Sequence, residues 1–194
     1  NVILTIVLVG LLYLIFAGGL RPTIYKPVLY LYPEEETNIK VDFANESLLT
    51  TTYPKFNKSW KVKAFTNGDL YDNNGNYYYA LYWEELLINK KSFDTGFYVS
   101  GDNAIKFLEE KLSIIGLNLR ERNEFIMYWL PILEKNKHSL VYFELTEERD
   151  NFNKLLIEPK PDSMLRMAIH VKKVNGPQEI KEQKLDKFER KGFT

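Results

Sequence analysis

The order of apolar and polar positions divides the chain into three parts. Residues 2–20 read VILTIVLVGLLYLIFAGGL without a charged side chain, and Arg21 is the first ionised group. A helix rises about 1.5 Å per residue, so this run spans roughly 28 Å, close to the hydrocarbon core of a bilayer. A single helix also pairs its own backbone N–H and C=O groups, as hydrocarbon demands. The pattern predicts a transmembrane anchor over residues 1–21, with Val2, Leu8, Leu12, Phe16 and Leu20 among its apolar side chains. Two alternatives compete. A secretory signal peptide has a shorter apolar core before a small-x-small cleavage site, which Ala17-Gly18-Gly19 imitates. A buried core helix would show polar positions at helical spacing, and this run shows almost none. Arg21 and Lys26 flank the membrane exit and Glu34, Glu35 and Glu36 soon follow, so charge leaves the orientation open.

Residues 22–175 carry the patterns of a folded domain. Between Pro27 and Pro33, Val28, Tyr30 and Tyr32 share one face and Leu29 and Leu31 the other, which predicts a strand covered on both sides. Ile39, Val41 and Phe43 alternate with Lys40 and Asp42; Trp60, Val62 and Ala64 alternate with Lys61 and Lys63. Both predict half-buried strands, and Thr-rich residues 48–53 predict another that stops at Pro54. Asn67-Gly68 and Asp72-Asn73-Asn74-Gly75 supply tight turns. Residues 77–83 have no polar face, since Tyr77, Tyr79, Leu81 and Trp83 lie on one side and Tyr78, Ala80 and Tyr82 on the other. The favoured reading is a strand internal to the fold; a contact with a partner is the alternative.

Two helices follow. Asp102 or Asn103 caps the first, whose stripe is Ala104, Phe107, Leu108, Leu112 and Ile115, with Gly116 as the stop. Asn118 with Glu121 three residues on is a capping-box start for the second. Its apolar side is Phe125, Tyr128, Trp129, Ile132 and Leu133, and Pro131 predicts a kink. Residues 139–145, 154–157 and 164–174 read as three more strands. Strands thus come in runs and do not alternate with helices. That predicts an α+β fold, a mainly antiparallel sheet with two adjacent helices, preceded by the single anchor. Residues 176–194 are mostly charged and read as an extended or loosely helical tail ordered on a partner.

Composition narrows the function. Lys and Arg number 26 and Asp and Glu 26, for zero net charge. With no basic run, a nucleic-acid partner is disfavoured. The absence of cysteine excludes disulfides, thiolate catalysis and thiolate metal sites. Aromatics make up 14% of the chain, a composition suited to protein interfaces.

Candidate chemistry is sparse. His138 and His170 lack metal-ligand company, and His170 shares a strand face with Arg166 and Lys172, as a solvated residue would. Residues 67–76 resemble a calcium loop only superficially, because aligning Gly75 with the loop glycine puts Leu70 where the first carboxylate belongs. Trp83, Glu84, Glu124 and Trp129 are the ligand-site candidates: an aromatic cleft with two carboxylates suits sugar binding or glycoside hydrolysis. Against this, adjacent acids such as Glu84-Glu85 are usually solvated surface, and Glu124 also pairs naturally with Arg120.

KPVLYLYP (26–33), LTTTYPKFNKSWKVKAFTNGDL (49–70), LYWE (81–84), ERNEFIMYWLPILEKN (121–136) and EPKPDSMLRM (158–167) together resemble a family of uncharacterised proteins of Gram-positive bacteria and some large DNA viruses. Bacterial relatives look secreted or surface-anchored. The resemblance implies one folded unit with an accessory role and carries over no catalytic residue. The expectation is a single-pass membrane protein without enzymatic activity, cofactor or metal. Its partners would be the bilayer and other proteins, as in a minor capsid protein tethering the shell of a membrane-containing virus to its internal membrane. The alternatives are a bacterial surface module that binds carbohydrate or peptide and, third, a glycoside hydrolase-like enzyme.

Overall fold

The computed structural model describes residues 23–24, 27–86 and 92–194, so the apolar run with Val2, Leu8, Leu12, Phe16 and Leu20 lies outside the described residues. Twelve strands and three helices are described: β1 (Thr23–Ile24), β2 (Val28–Leu29), β3 (Thr37–Phe43), β4 (Leu49–Tyr53), β5 (Trp60–Ala64), β6 (Leu70–Asp72), β7 (Tyr77–Tyr78), β8 (Leu81–Leu86), β9 (Phe97–Ser100), α1 (Ala104–Ile115), α2 (Leu119–Asn136), β10 (His138–Leu145), α3 (Thr146–Phe152), β11 (Leu155–Glu158) and β12 (Met167–Lys173). All pairings between these strands are antiparallel, and the fold is α+β.

Three sheets form. β8 pairs with β4 along one edge and with β1 and β2 in succession along the other. A second sheet has the order β11-β3-β5-β6-β7, and a third β12-β10-β9. The alternation in β3 and β5 turns Ile39, Val41, Phe43, Trp60, Val62 and Ala64 inward, as their spacing predicts, against Leu31, Leu81 and Trp83. At the centre Phe43 meets Trp60 and Trp83 edge-on, with ring centroids 5.7 Å and 5.2 Å away. Edge-to-face contacts of this kind fix ring orientation as well as fill volume. The third sheet packs its Phe97, Val99, Val141, Phe143 and Ile169 against the α1 stripe, making a second buried cluster.

Local signals are observed where they were strongest. Asn118 Oδ1 accepts from the Glu121 N–H at 3.0 Å and Glu121 Oε2 accepts from the Asn118 N–H at 2.9 Å, completing the capping box. Gly116 adopts φ +105°, a left-handed stop for α1. Gly68 and Gly75 lie at φ +88° and +79° in the two predicted hairpin turns. α2 continues through Pro131 to Asn136.

Other expectations change. Residues 77–83 are not one strand: β7 ends at Tyr78 and β8 begins at Leu81. The face read as internal is split, since Tyr77 and Tyr79 are exposed while Leu81 and Trp83 enter the core. β6, β9 and α3 arise where no strong periodicity predicts them.

The charged C-terminal segment is tied to the body and is not loosely ordered. Residue Glu182 bridges Gly96, and the Gln183 side chain bonds both backbone groups of Phe143, accepting at 2.9 Å and donating at 2.6 Å. The Phe188 N–H donates to the Ile115 carbonyl at 3.0 Å, Phe193 is buried in the first cluster, and Thr194 exchanges backbone hydrogen bonds with Tyr32. This strap crosses both clusters.

Candidate functional site: an aromatic groove between β2 and α2

Backbone alternation after Pro27 sends Leu29 and Leu31 toward the first core and Tyr30 and Tyr32 the other way, toward α2. The two tyrosine rings stack at 6.3 Å and 12°. Across from them α2 presents Glu121, Glu124, Phe125, Tyr128 and Trp129, a row spaced three and four residues apart on one helical face. Met164, Leu165 and Met167 close a third side, and Arg190 and Thr194 of the strap close one end. The groove is open to solvent along part of its length and offers a volume of about 160 Å³. That compares with the roughly 150 Å³ of an apolar cavity able to hold one benzene ring.

α2 keeps this face available. Of its 18 residues only Glu121 and Leu133 are buried, and Phe125, Tyr128 and Trp129 are half-buried. The aromatic surface continues beyond the groove. Arg120 lies 4.9 Å from the Tyr79 ring centroid, and Tyr79 and Tyr77 are 41% and 51% exposed. Elsewhere on α2, off the row that lines the groove, Met127 is 64% exposed and Leu119 71%.

The polar groups at the groove are ordered. Besides capping α2, the Glu121 carboxylate binds the Arg190 guanidinium, which rests 5.5 Å over the Tyr32 ring. Asn118 Nδ2 donates to the Tyr32 hydroxyl at 3.2 Å. Burial pushes the Tyr30 hydroxyl well above the usual tyrosine range, and the Glu124 charge adds to it. Burial raises Tyr32 as well, with the Asn118 hydrogen bond pulling the other way. Both phenols therefore stay neutral at ordinary pH and serve as hydrogen-bonding, ring-bearing walls.

The four sequence candidates do not meet in one cleft. Glu124 and Trp129 line the groove. Trp83 sits in the first core at 4% exposure, and its indole N–H is buried without a hydrogen-bond partner. Glu84, on the opposite face of β8, accepts a hydrogen bond from the Tyr82 hydroxyl at 2.7 Å; burial first and then Glu84 raise that phenol. Alternation along β8 is the reason, because residues 83 and 84 necessarily point apart.

A second polar cluster escaped the sequence reading. Glu85 is fully buried and binds Arg149 of α3, while its other oxygen accepts from Asn153 Nδ2 at 2.9 Å. Arg149 also lies 3.6 Å from Glu144, and Glu144 contacts His170 Nε2 at 2.6 Å. Arg166 pairs with Asp150 at 2.6 Å, and burial lowers its pKa. His170 is thus held in a part-buried network and is not simply solvated. One signal was present: Glu85 continues the inward series Leu81, Trp83 along β8. Arg149 gave none, since α3 has no apolar stripe of its own. Every acid in this cluster faces a base or an amide, the arrangement of a structural junction between β8, α3 and the third sheet.

Among the described residues no group of three or more His, Cys, Asp or Glu is placed to hold a metal ion, and no helix is long and apolar enough to cross a membrane. Comparisons of the chain with protein-family models, with curated proteins and with solved structures find no match.

Proposed function

We propose that this chain is a membrane-anchored structural protein that docks other proteins through the face bearing the β2–α2 groove, acting as a tether and not as an enzyme. The carrying observation is the half-buried aromatic face of α2, continuous with exposed Tyr79 and Tyr77. Folding leaves this face only half covered although it holds Tyr and Trp, with Arg120 over Tyr79 beside it, and these are side chains enriched where proteins meet. The apolar run of residues 2–20 supplies the anchor. The resemblance to proteins of large DNA viruses supports a particular setting, a minor capsid protein linking the shell to an internal membrane. Three segments that carry it, 26–33, 121–136 and 158–167, contribute to the groove wall. Of the carboxylates that would serve a hydrolase, Glu124 lines the groove, whereas Glu84 accepts a hydrogen bond from the Tyr82 hydroxyl and is not part of the groove lining.

A second reading has support in the ring-sized volume of the groove: a bacterial surface module that takes a sugar or a peptide side chain between its aromatics.

Membrane flotation tests the tether. The full chain should float with lipid vesicles, and the chain lacking residues 1–21 should stay in the soluble fraction. Continued flotation of the truncated chain would contradict the proposal.

A further inference from the structure

We propose that Asn45 and Asn57 are N-glycosylation sites, so that the domain following Arg21 faces the compartment in which glycans are added and carries them clear of the docking groove. This rests on the anchor of the reading above and gives that anchor the orientation that flanking charge leaves open.

Among the asparagines of the chain, only Asn45 and Asn57 stand two residues before a Ser or Thr with no Pro between, in Asn45-Glu46-Ser47 and Asn57-Lys58-Ser59. This triplet is the acceptor for N-linked oligosaccharide. A triplet buried in a core could not hold a glycan, so its place in the fold decides whether it can act. Asn153 shows the unsuitable environment: it is buried, with its Nδ2 bound to Glu85.

Both triplets lie in surface turns at one end of the same sheet. β3 and β5 run antiparallel with Val41 opposite Trp60, so the segment leaving β3 and the turn entering β5 adjoin. Asn45, Glu46, Ser47, Asn57 and Lys58 are all exposed. Asn45 uses its Oδ1, which accepts from the Ser47 N–H at 3.2 Å and from the Ser47 hydroxyl at 2.6 Å. Its Nδ2 donates to nothing among the described residues, and the same is true of Asn57 Nδ2. The two groups that define the first acceptor, amide and hydroxyl, are thus together on one exposed turn. In the second, Lys58 at φ +60° makes the sharp turn across which Asn57 and Ser59 bridge. No residue of either triplet lines the groove, so glycans at these positions leave the β2–α2 face to a protein partner.

The co-reactant is an oligosaccharide carried on a lipid pyrophosphate. Asn Nδ2 forms a bond to the anomeric carbon and gives up one proton. The bond from that carbon to the pyrophosphate oxygen breaks, and lipid pyrophosphate leaves.

The test translates the full chain with endoplasmic-reticulum microsomes and follows its gel mobility before and after peptide-N-glycosidase. Two discrete steps of retardation are expected, both removed by the glycosidase. Ser47→Ala and Ser59→Ala should each abolish one step, and Ser47→Thr and Ser59→Thr should each retain it, which separates loss of the acceptor from loss of the fold. Alkaline carbonate extraction of the same membranes reports the anchor independently. An unmodified chain that resists extraction would overturn the sites and leave the anchor standing. A modified chain that carbonate releases would support the sites and overturn the anchor, and an unmodified, released chain would contradict both. Retardation that survives both alanine substitutions would also overturn the assignment, since the sugar would then lie elsewhere.

Discussion

Trp60 and Trp83 sit in the same core with their rings 6.4 Å apart, yet their indole N–H groups meet different fates. Trp60 Nε1 donates to the Pro54 carbonyl at 2.8 Å, whereas Trp83 Nε1 is buried without a partner. An unpaired buried donor costs about 1–3 kcal/mol, and removing it recovers part of that. Trp83→Phe should therefore destabilise the protein by about 1–2 kcal/mol less than Trp60→Phe, although both remove similar ring area. Urea unfolding of the two variants measures the difference, and an equal loss would contradict this account of Trp83. The same residue shows how far the sequence was legible. Alternation placed Trp83 correctly on the face of Leu81, but that face leads into the core and away from Trp129. Glu85 is the converse case. Its position in the inward series was readable, yet its charge argued for solvent until Arg149 and Asn153 were in view.

At the scale of elements, what could be read was what repeats locally. β3, β5, β10, α1 and α2 each announce themselves by a strong period and a cap or turn, and each lies within a few residues of its expected bounds. β6, β9 and α3 are short, with burial decided by distant neighbours, so no local period marks them. The strap is the clearest instance. Its residues look like a solvated tail because few are apolar, and it is held largely by hydrogen bonds that composition does not reveal. Gln183 acts as a stand-in strand, satisfying both backbone groups of Phe143 where β10 runs beyond its pairing with β9. Gln183→Ala should cost about 1–3 kcal/mol by leaving those groups unpaired, and hydrogen exchange at the Phe143 amide should quicken accordingly. A loss below about 0.5 kcal/mol with unchanged exchange would show that the strap is merely laid on the surface.

The whole molecule explains why the groove itself was hidden. Buried apolar side chains gather in two clusters, one between the first two sheets and one between the third sheet and the helices. The groove lies along their junction, lined by β2 and Tyr30–Tyr32, by α2, by residues 157–167 and by Arg190. Glu124 and Trp129 could be nominated from α2 alone; Tyr30, Met164 and Arg190 could not, because only the tertiary fold brings those segments together. Beside the groove Tyr79 and Tyr77 stay exposed, and the proposed role depends on what covers them. The most direct measurement places a photo-cross-linking residue at Tyr79, which is 41% exposed beside the groove, in the full chain within its native membrane assembly. The account predicts a discrete protein adduct, lost in the Trp129→Ala variant. Adducts to lipid alone, or a protein adduct that persists unchanged in Trp129→Ala, would contradict it.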